Sequence, residues 1–211
     1  MEFPDPDSRN VLADDCQRCP ALAESRACIS WGNGPLDADV VVIGEAPAEG
    51  DPGADQWRGG NLTGMAYTSR ASGRKIRELL ADAGFGHDEC YFTNAVKCHP
   101  AGNRDPTAEE LANCRPYLAA EVETVGPQVV LTTGKHATET VLALDGESLS
   151  GFLDSVLESR KSDALGVPVV PLLHPSYQEV WRSRLGYSNE GYVEAIAAAV
   201  RSVTDGRSPP E

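Results

Sequence analysis

Four short stretches of the chain are rich in apolar and β-branched residues, and each is flanked by Gly, Pro, Asn or Asp. An apolar run of this length is typical of a strand that is buried on both faces, as in a parallel sheet. The stretches are DVVVIGEAP (39–47), YFTNAV (91–96), QVVLTTG (128–134) and VPVVPLLHPS (167–176). They predict four parallel strands.

The segments between these strands repeat apolar residues with the helical period. In the first of them Ile76, Leu79, Leu80 and Ala83 fall at i, i+3, i+4 and i+7, and Gly84 suits the end of a helix. Helices are expected at 69–84, 107–125, 135–144 and about 189–203. Because strands and helices alternate, the sequence predicts an α/β protein, a three-layer α/β/α sandwich around a central four-stranded parallel sheet.

The second predicted helix has a defined start. Thr107 and Glu110 have the T-x-x-E spacing of a capping box. Cys114 falls on the same helical stripe as Leu118 and Val122. The helix is therefore expected to carry a thiol on its buried side, close to the second strand.

The chain shows no internal repeat and no linker, so one domain is expected over residues 1–211. The segments 1–13 and 205–211 are expected to be loose termini. Residues 145–165 are acidic and irregular, and they are expected to form an excursion or a lid.

The chain is strongly acidic, with 18 Lys and Arg against 32 Asp and Glu and a formal net charge of −14. One interpretation is an ordinary acidic protein that repels nucleic acid. The other is a halophilic source, because a high surface charge keeps proteins soluble where salt screens charges within a few ångströms. Counterion release contributes little to protein–DNA binding in molar salt. In a halophilic source the negative net charge would therefore be a weak argument against DNA binding.

No apolar run reaches the length of a transmembrane helix, and the start of the chain, MEFPDPDSRN, has neither a basic leader nor an apolar segment. We therefore expect a cytoplasmic protein with no membrane partner.

Six cysteines occur, and outside oxidising compartments thiols bind metals more often than they form disulfides. Cys16 and Cys19 have the spacing of a metal-binding pair, which needs two further ligands. Cys98 after the second strand and Cys114 in the following helix are the candidates. Four thiolates suit either zinc or an iron–sulfur cluster, and their spacing does not choose between them.

Three segments carry a family resemblance: GEAPAEGD (44–51), TNAVKCHPAGNRDPTAEELANCRPYL (93–118) and LLHPSY (172–177). In this order they resemble the uracil-DNA glycosylase superfamily, over roughly residues 14–200. The match is best with family 4, the iron–sulfur type. Ala48 replaces a glycine of the first motif, and GMAYTSRASGRKI (64–76) is more similar to family 5.

The resemblance implies one base-reading residue and two kinds of catalytic residue. Asn94 would donate to uracil O4 and accept from N3–H, and cytosine reverses both of these polarities. His174 would stabilise the negative charge that develops on uracil O2. Glu45, with Asp51 as the second choice, would offset the charge of the oxocarbenium-like sugar or orient water.

Further substrate contacts are implied by the same motifs. The backbone amide of Ala46 would line the pocket. Leu62 occupies the place of the aromatic residue that stacks on the flipped base in the family, so Trp57 or Tyr67 is a candidate for the missing ring. Arg184 follows the segment HPSYQEVW, where the family inserts a loop into the duplex.

The resemblance also implies that Cys16, Cys19, Cys98 and Cys114 hold a structural 4Fe–4S cluster, with zinc as the alternative. The implied activity is that of a monofunctional DNA glycosylase, which hydrolyses the bond between uracil and deoxyribose and leaves an abasic site. The expected partner is uracil-containing DNA, with a sliding clamp as a second candidate, and the expected state is a monomer. Action on other deaminated bases, or non-catalytic binding of nucleic acid, stays open.

Overall fold

The computed structural model describes residues 1–204, and all seven of its strands belong to one sheet. The strands are β1 (Arg9–Asn10), β2 (Gly32–Asn33), β3 (Val40–Gly44), β4 (Cys90–Asn94), β5 (Val129–Thr133), β6 (Arg160–Lys161) and β7 (Pro168–Leu172). Their spatial order is β1-β2-β4-β3-β5-β7-β6.

The four central strands are the predicted ones, and they are parallel. The predicted number of four strands is wrong, because β1, β2 and β6 extend the two edges of the sheet in antiparallel pairing. Each of these edge strands has only two residues. A segment of that length has no apolar period that a sequence pattern could detect.

Eight α-helices connect and cover the strands within residues 1–204. They are α1 (Pro20–Ser25), α2 (Gly60–Thr63), α3 (Gly73–Asp82), α4 (Ala108–Val125), α5 (Lys135–Leu142), α6 (Phe152–Ser155), α7 (Gln178–Arg184) and α8 (Asn189–Thr204). The four predicted helices correspond to α3, α4, α5 and α8. The unpredicted ones have four to seven residues, which is less than two helical turns.

Alternate residues of β3 face the two helical layers. Val40 and Val42 pack in one core with α3 and α8, whereas Val41 and Ile43 pack in the other with α4 and α5. All five residues of β3 are buried, as expected for a strand covered on both faces. The predicted three-layer α/β/α arrangement is therefore confirmed.

The predicted capping box opens α4. The backbone N–H of Glu110 donates to Thr107 Oγ1 at 3.2 Å, and the backbone N–H of Thr107 donates to Glu110 Oε2 at 2.8 Å. Gly126 ends the helix in the left-handed conformation that glycine tolerates best. Both ends of the helix that carries Cys114 are thus fixed by local sequence.

The two expected loose termini have different outcomes. Residues 1–13 are not loose throughout, because Arg9–Asn10 pair with Gly32–Asn33 at the edge of the sheet. The tail 205–211 lies outside the described residues. Within residues 1–204, no helix combines the length and the apolar character needed to cross a membrane.

Candidate active site and cysteine centre

The carboxyl ends of the four central strands meet around one small cavity of about 80 Å³. Glu45 follows β3, Asn94 ends β4, Thr133 ends β5 and His174 lies two residues beyond β7. All four residues line the cavity, together with Ala46. The edge of a parallel sheet where its strands end is where open α/β folds place their sites, and this chain follows that rule.

Glu45 and Asn94 are held in a fixed relation because the pairing of β3 and β4 continues past the strands. Gly44 lies opposite Asn94, and the backbone N–H of Ala95 donates to the Gly44 carbonyl at 2.7 Å. The N–H of Val96 donates to the carbonyl of Glu45 at 2.9 Å. A Cβ atom at Gly44 would overlap Asn94 Oδ1 and the hydroxyl of Tyr67, so only glycine leaves room for both side chains.

His174 is held as a hydrogen-bond donor. The backbone N–H of Ser176 donates to its Nδ1 at 3.2 Å, so the proton of the neutral imidazole resides on Nε2. Burial, reinforced by His136, lowers the pKa of His174 and keeps the ring neutral. The HPS segment thus fixes the tautomer by its own backbone.

Glu45 is half-buried and faces charged neighbours from other elements. Burial raises its pKa, an imidazolium at His136 lowers it, and Asp105 and Glu139 raise it. One donor atom each from Glu45, Asp105 and His136 lie within 4.8 Å of one another. His136 was not predicted from the sequence, although its position three residues after β5, at the same edge of the sheet, is the signal that could have found it.

The aromatic wall of the cavity is Tyr67, not Leu62. Tyr67 lines the cavity, its hydroxyl is hydrogen-bonded to Thr133 Oγ1, and its ring meets the Phe92 ring edge-on at 5.7 Å. Burial raises its pKa, so the phenol is neutral. Leu62 is in α2, is not among the residues that line the cavity, and lies beside Gly50 instead.

Arg77 supports Tyr67 by a hydrogen bond to its backbone. Its Nε donates to the Tyr67 carbonyl at 3.2 Å, and its guanidinium lies 3.8 Å from the centre of the Phe92 ring. Its Nη2 donates to Asn33 Oδ1 at 2.6 Å. These bonds fix the backbone of Tyr67, whose φ of 54° is unusual for a residue with a side chain.

Trp57, the other candidate for the missing ring, is not a wall of the small cavity. It lines a wider groove of about 580 Å³ outside the cavity, and its ring packs edge-on against Phe3 with centroids 5.2 Å apart. Asp51 lines the same groove, where its Oδ1 accepts from the backbone N–H of Gly53 at 2.9 Å. Asp51 is exposed and stabilises a turn; it shares the groove with Glu45 and His174 but does not line the small cavity with Asn94.

Three arginines, Arg58, Arg70 and Arg104, line the groove together with acidic residues. The guanidinium of Arg104 donates to both carboxylate oxygens of Glu110. Arg184 is not among the residues that line the groove or the cavity; it is exposed on α7 and lies over the Trp181 ring at 4.6 Å.

The expected excursion at 145–165 closes an apolar hollow beside His174. The hollow has a volume of about 370 Å³, and Phe152 and Leu153 of α6 contribute to its wall together with Trp181. Glu45 and His174 line this hollow as well as the small cavity and the groove. The two residues thus stand where the three depressions meet.

The four cysteines predicted as ligands come together in one cluster. Cys98 and Cys114 are buried in an apolar cluster against which Cys16 and Cys19 pack. Burial raises the pKa of Cys98 and raises that of Cys114 to about 11, and in both cases neighbouring cysteines add to the shift. All of these cysteines are free thiols.

Polar hydrogens point at the sulfur atoms. Arg26 Nη1 donates to Cys98 Sγ at 3.3 Å, and Asn113 Nδ2 donates to Cys19 Sγ at 3.4 Å. Within residues 1–204 no three cysteine sulfurs lie within 4.8 Å of one another. Around a single zinc ion, with bonds of about 2.3 Å, tetrahedral thiolates would be only about 3.8 Å apart. The four thiols are therefore spread more widely than one zinc ion requires.

The parallel α/β/α fold, with an amide, an imidazole and a carboxylate at one cavity beside a four-cysteine centre, defines a class of base-excising proteins. Comparison with known proteins identifies the family: residues 31–201 match the model of the Uracil DNA glycosylase superfamily, and the chain belongs to that superfamily.

Relatives of two types are similar to this chain. The type-4 uracil-DNA glycosylase of Thermotoga maritima is 35% identical over 163 residues, which cover 77% of each chain. The type-4 enzyme of Archaeoglobus fulgidus is 33% identical, with 83% of each chain covered. The type-5 uracil-DNA glycosylase of Pyrobaculum aerophilum is 33% identical and covers 89% of this chain and 87% of its own. The resemblance to both families is thus confirmed.

Proposed function

We propose that this protein is a DNA glycosylase that takes uracil out of the DNA stack and hydrolyses its N-glycosidic bond, leaving an abasic site. The observation that carries the proposal is the meeting of Asn94, His174 and Glu45 at one small cavity. Membership of the superfamily supports it, as do relatives that are named uracil-DNA glycosylases.

Base recognition falls to Asn94 and Tyr67. The buried amide of Asn94 pairs with O4 and N3–H of uracil, and cytosine would present the opposite donor and acceptor at both positions. A buried amide left mispaired costs about 2 kcal/mol or more, which excludes cytosine. The Tyr67 ring, one of the two candidates for the ring that Leu62 cannot supply, offers the stacking surface.

His174 stabilises the leaving base. As the glycosidic bond breaks, negative charge accumulates on uracil O2, and an N–H group aimed at that oxygen lowers the barrier. The bond from Ser176 places the proton on Nε2, and the lowered pKa keeps the ring neutral. A neutral donor suffices, because the developing negative charge strengthens the hydrogen bond in the transition state.

Glu45 is the carboxylate that serves the sugar. It offsets the positive charge of the oxocarbenium-like sugar or orients the attacking water. Asp51 was the second choice for this role, and its exposed position in a turn supports Glu45 instead. Ala46 lines the cavity and offers its backbone amide to the base.

DNA is held in the outer groove, where Arg58 and Arg70 contact phosphates. Arg184 on α7 meets the duplex beyond the groove. The protein acts as a monomer in the cytoplasm, with a sliding clamp as a candidate partner.

Cys16, Cys19, Cys98 and Cys114 hold a 4Fe–4S cluster. The thiolate donor set, the N–H groups of Arg26 and Asn113 near the sulfurs and the wide spread of the thiols all suit a cluster better than zinc. When bound, the cluster supplies a structural cross-link. It joins the N-terminal segment to Cys98 after β4 and to α4, and the chemistry on the base uses the chain's own residues.

The proposal is tested by incubating the protein, purified without chelator, with oligonucleotides in about molar KCl, a concentration at which exposed charges are screened within about 3 Å. The oligonucleotides carry a single uracil, hypoxanthine or cytosine. The expected result is free uracil and an alkali-labile site from the uracil strand alone. Cleavage of the hypoxanthine strand with the uracil strand intact would contradict the proposed substrate. Binding without cleavage of any strand would contradict the proposed enzyme.

A further inference from the structure

A buried ion pair lies behind the base pocket. Lys97 Nζ and Glu121 Oε2 are 2.5 Å apart, and the two side chains are 1% and 0% exposed. Burying two charges in a core costs desolvation that their attraction offsets only when every remaining polar atom is bonded. The proposed chemistry uses neither residue, so the presence of the pair calls for a physical reason.

The Lys97 ammonium is fully bonded, and one of its bonds reaches the base-reading residue. It donates to the carbonyl oxygen of Asn94 at 2.5 Å and to Thr93 Oγ1 at 2.6 Å, besides the bond to Glu121. Three donors thus meet three acceptors. The backbone at the end of β4, from which the Asn94 amide projects, is clamped by a charge-assisted hydrogen bond.

Glu121 is bonded as completely. Its Oε2 also accepts from Thr93 Oγ1 at 2.6 Å, and its Oε1 accepts from the Gly32 backbone N–H at 3.0 Å and from the Tyr91 hydroxyl at 3.2 Å. The carboxylate therefore ties α4 to two neighbouring strands. It anchors the ammonium in one place rather than merely neutralising it.

The backbone of Lys97 leads to the cysteine centre. Cys98 is the next residue, and the backbone and the charge of Lys97 both oppose the rise that burial causes in the pKa of the Cys114 thiol. The carbonyl of Lys97 accepts from the Ser30 N–H at 2.7 Å. Lys97 therefore lies between the cysteine cluster and the backbone of Asn94, to which its ammonium is hydrogen-bonded.

We propose that Lys97, anchored by Glu121, is a positioning residue that sets the Asn94 amide and transmits to it the geometry of the cysteine centre. This inference rests on the proposed function of Asn94 in reading uracil. Lys97 contacts the base-reading residue and not the cavity itself. Misplacing a reacting group by about 1 Å can cost about 100-fold in rate, so a clamp of this kind has a measurable effect.

The test replaces the pair by apolar residues of similar length, Lys97→Met with Glu121→Met. A buried pair replaced in this way often leaves a protein as stable as before, whereas removal of one partner leaves an unpaired charge. The matched control is Lys161→Met, because Lys161 is bonded to an exposed carboxylate, Asp163, on the surface. Thermal unfolding and iron content are recorded for each variant.

Base preference is measured without cleavage, as the ratio of dissociation constants for oligonucleotides that carry 2′-fluoro-2′-deoxyuridine or 2′-fluoro-2′-deoxycytidine. In the double variant we expect a folded, iron-loaded protein that has lost most of this preference. Its stability should be somewhat lower than that of the wild type, because the Gly32 N–H and the Tyr91 hydroxyl lose their acceptor. We expect its single-turnover rate on uracil DNA to be about 100-fold lower and its affinity for undamaged DNA to be unchanged. In Lys161→Met the base preference and the single-turnover rate should both stay at the wild-type level.

A folded double variant with wild-type preference and rate would overturn the inference. If the double variant does not fold, Glu121→Gln keeps the volume and one acceptor oxygen but replaces the other by an N–H donor, so the anchor of the ammonium is weakened. This variant should still reduce the preference, and an unchanged preference in a folded Glu121→Gln protein would overturn the inference there too. Wild-type protein that prefers the uridine analogue but releases no uracil would contradict the proposed activity and not the positioning.

Discussion

The backbone N–H of Ser176 donates to Nδ1 of His174 at 3.2 Å, and this bond leaves the imidazole only Nε2 as a donor. His174→Ala should therefore lower the single-turnover rate of uracil release by about 100-fold to 1,000-fold, as is typical when a donor to a developing anion is removed. His87→Ala is the control, because His87 is exposed and lines neither the cavity nor the groove. Equal losses in the two variants would contradict the role of His174.

The same histidine makes stability depend on pH. Its pKa is lowered in the folded protein from the ordinary 6.5, so near and below that value the unfolded chain binds more protons than the folded chain. Stability therefore falls as the pH drops through 6.5 towards the lowered pKa, and the loss is complete below it. Denaturant unfolding of wild type and His174→Gln between about pH 5 and 8 should show a shallower decline in the variant. If the free energy of unfolding declined equally with pH in the two proteins, His174 would not be a buried neutral imidazole.

Replacing His136 and replacing Glu139 should shift the pH dependence of the rate in opposite directions, because the two side chains have opposite effects on the pKa of Glu45. An imidazolium at His136 lowers the pKa of Glu45, and the carboxylate of Glu139 raises it. Because Glu45 acts as a carboxylate, His136→Gln should shift the acid limb of the rate to higher pH. Glu139→Gln, the matched charge-removal variant on the same helix, should shift it to lower pH. The measurement is the single-turnover rate against pH, and shifts of equal sign would contradict this electrostatic account.

Tyr67, and not Leu62, should carry the stacking energy. Stacking of a base on an aromatic ring contributes about 1–3 kcal/mol, so Tyr67→Ala should weaken the binding of a 2′-fluoro-2′-deoxyuridine oligonucleotide by about 5-fold to 150-fold. Leu62→Ala should have little effect, because Leu62 does not line the cavity. Tyr67→Phe keeps the ring and should retain most of the affinity. A larger loss of affinity in Leu62→Ala than in Tyr67→Ala would indicate that Leu62, and not Tyr67, contacts the base.

The features of the fold and the site that could be predicted are those that depend on residues close together in the sequence. Each five-residue central strand is wholly or almost wholly buried, so the apolar runs revealed the strands, and the capping box at Thr107 revealed α4. Asn94, Glu45 and His174 were found because the motifs that contain them resemble those of the uracil-DNA glycosylase superfamily. These features need only neighbouring residues to be recognised.

Contacts between distant residues could not be predicted in this way: Tyr67 was only one of two candidates for the missing ring, and no role was predicted for Lys97. Tyr67 reaches the cavity through a left-handed backbone that Arg77 supports from ten residues away. Lys97 looks like an ordinary polar residue until Glu121, 24 residues later, is brought to it by the packing of α4 on the sheet. No local pattern records either contact.

The cysteine centre should contain about four iron atoms per chain, the content of one 4Fe–4S cluster. Metal analysis of protein purified without chelator measures this directly, and Cys19→Ser should lower both the iron content and the melting temperature. Stoichiometric zinc without iron would contradict the cluster. Cys90→Ser is the matched control for the loss of a thiol, since burial raises the Cys90 pKa to about 12 and the residue lies in β4 away from the thiol cluster.

Release of uracil by wild type and by Asn94→Ala tests most directly the claim that a buried amide reads the base. The oligonucleotide carries one uracil, the buffer contains about molar KCl, and DNA binding is measured in parallel. We predict an alkali-labile site with wild type and a loss of at least about 30-fold in Asn94→Ala, which corresponds to ~2 kcal/mol, with DNA binding retained. Equal rates for the two proteins, or no cleavage by an iron-loaded wild type, would contradict the account.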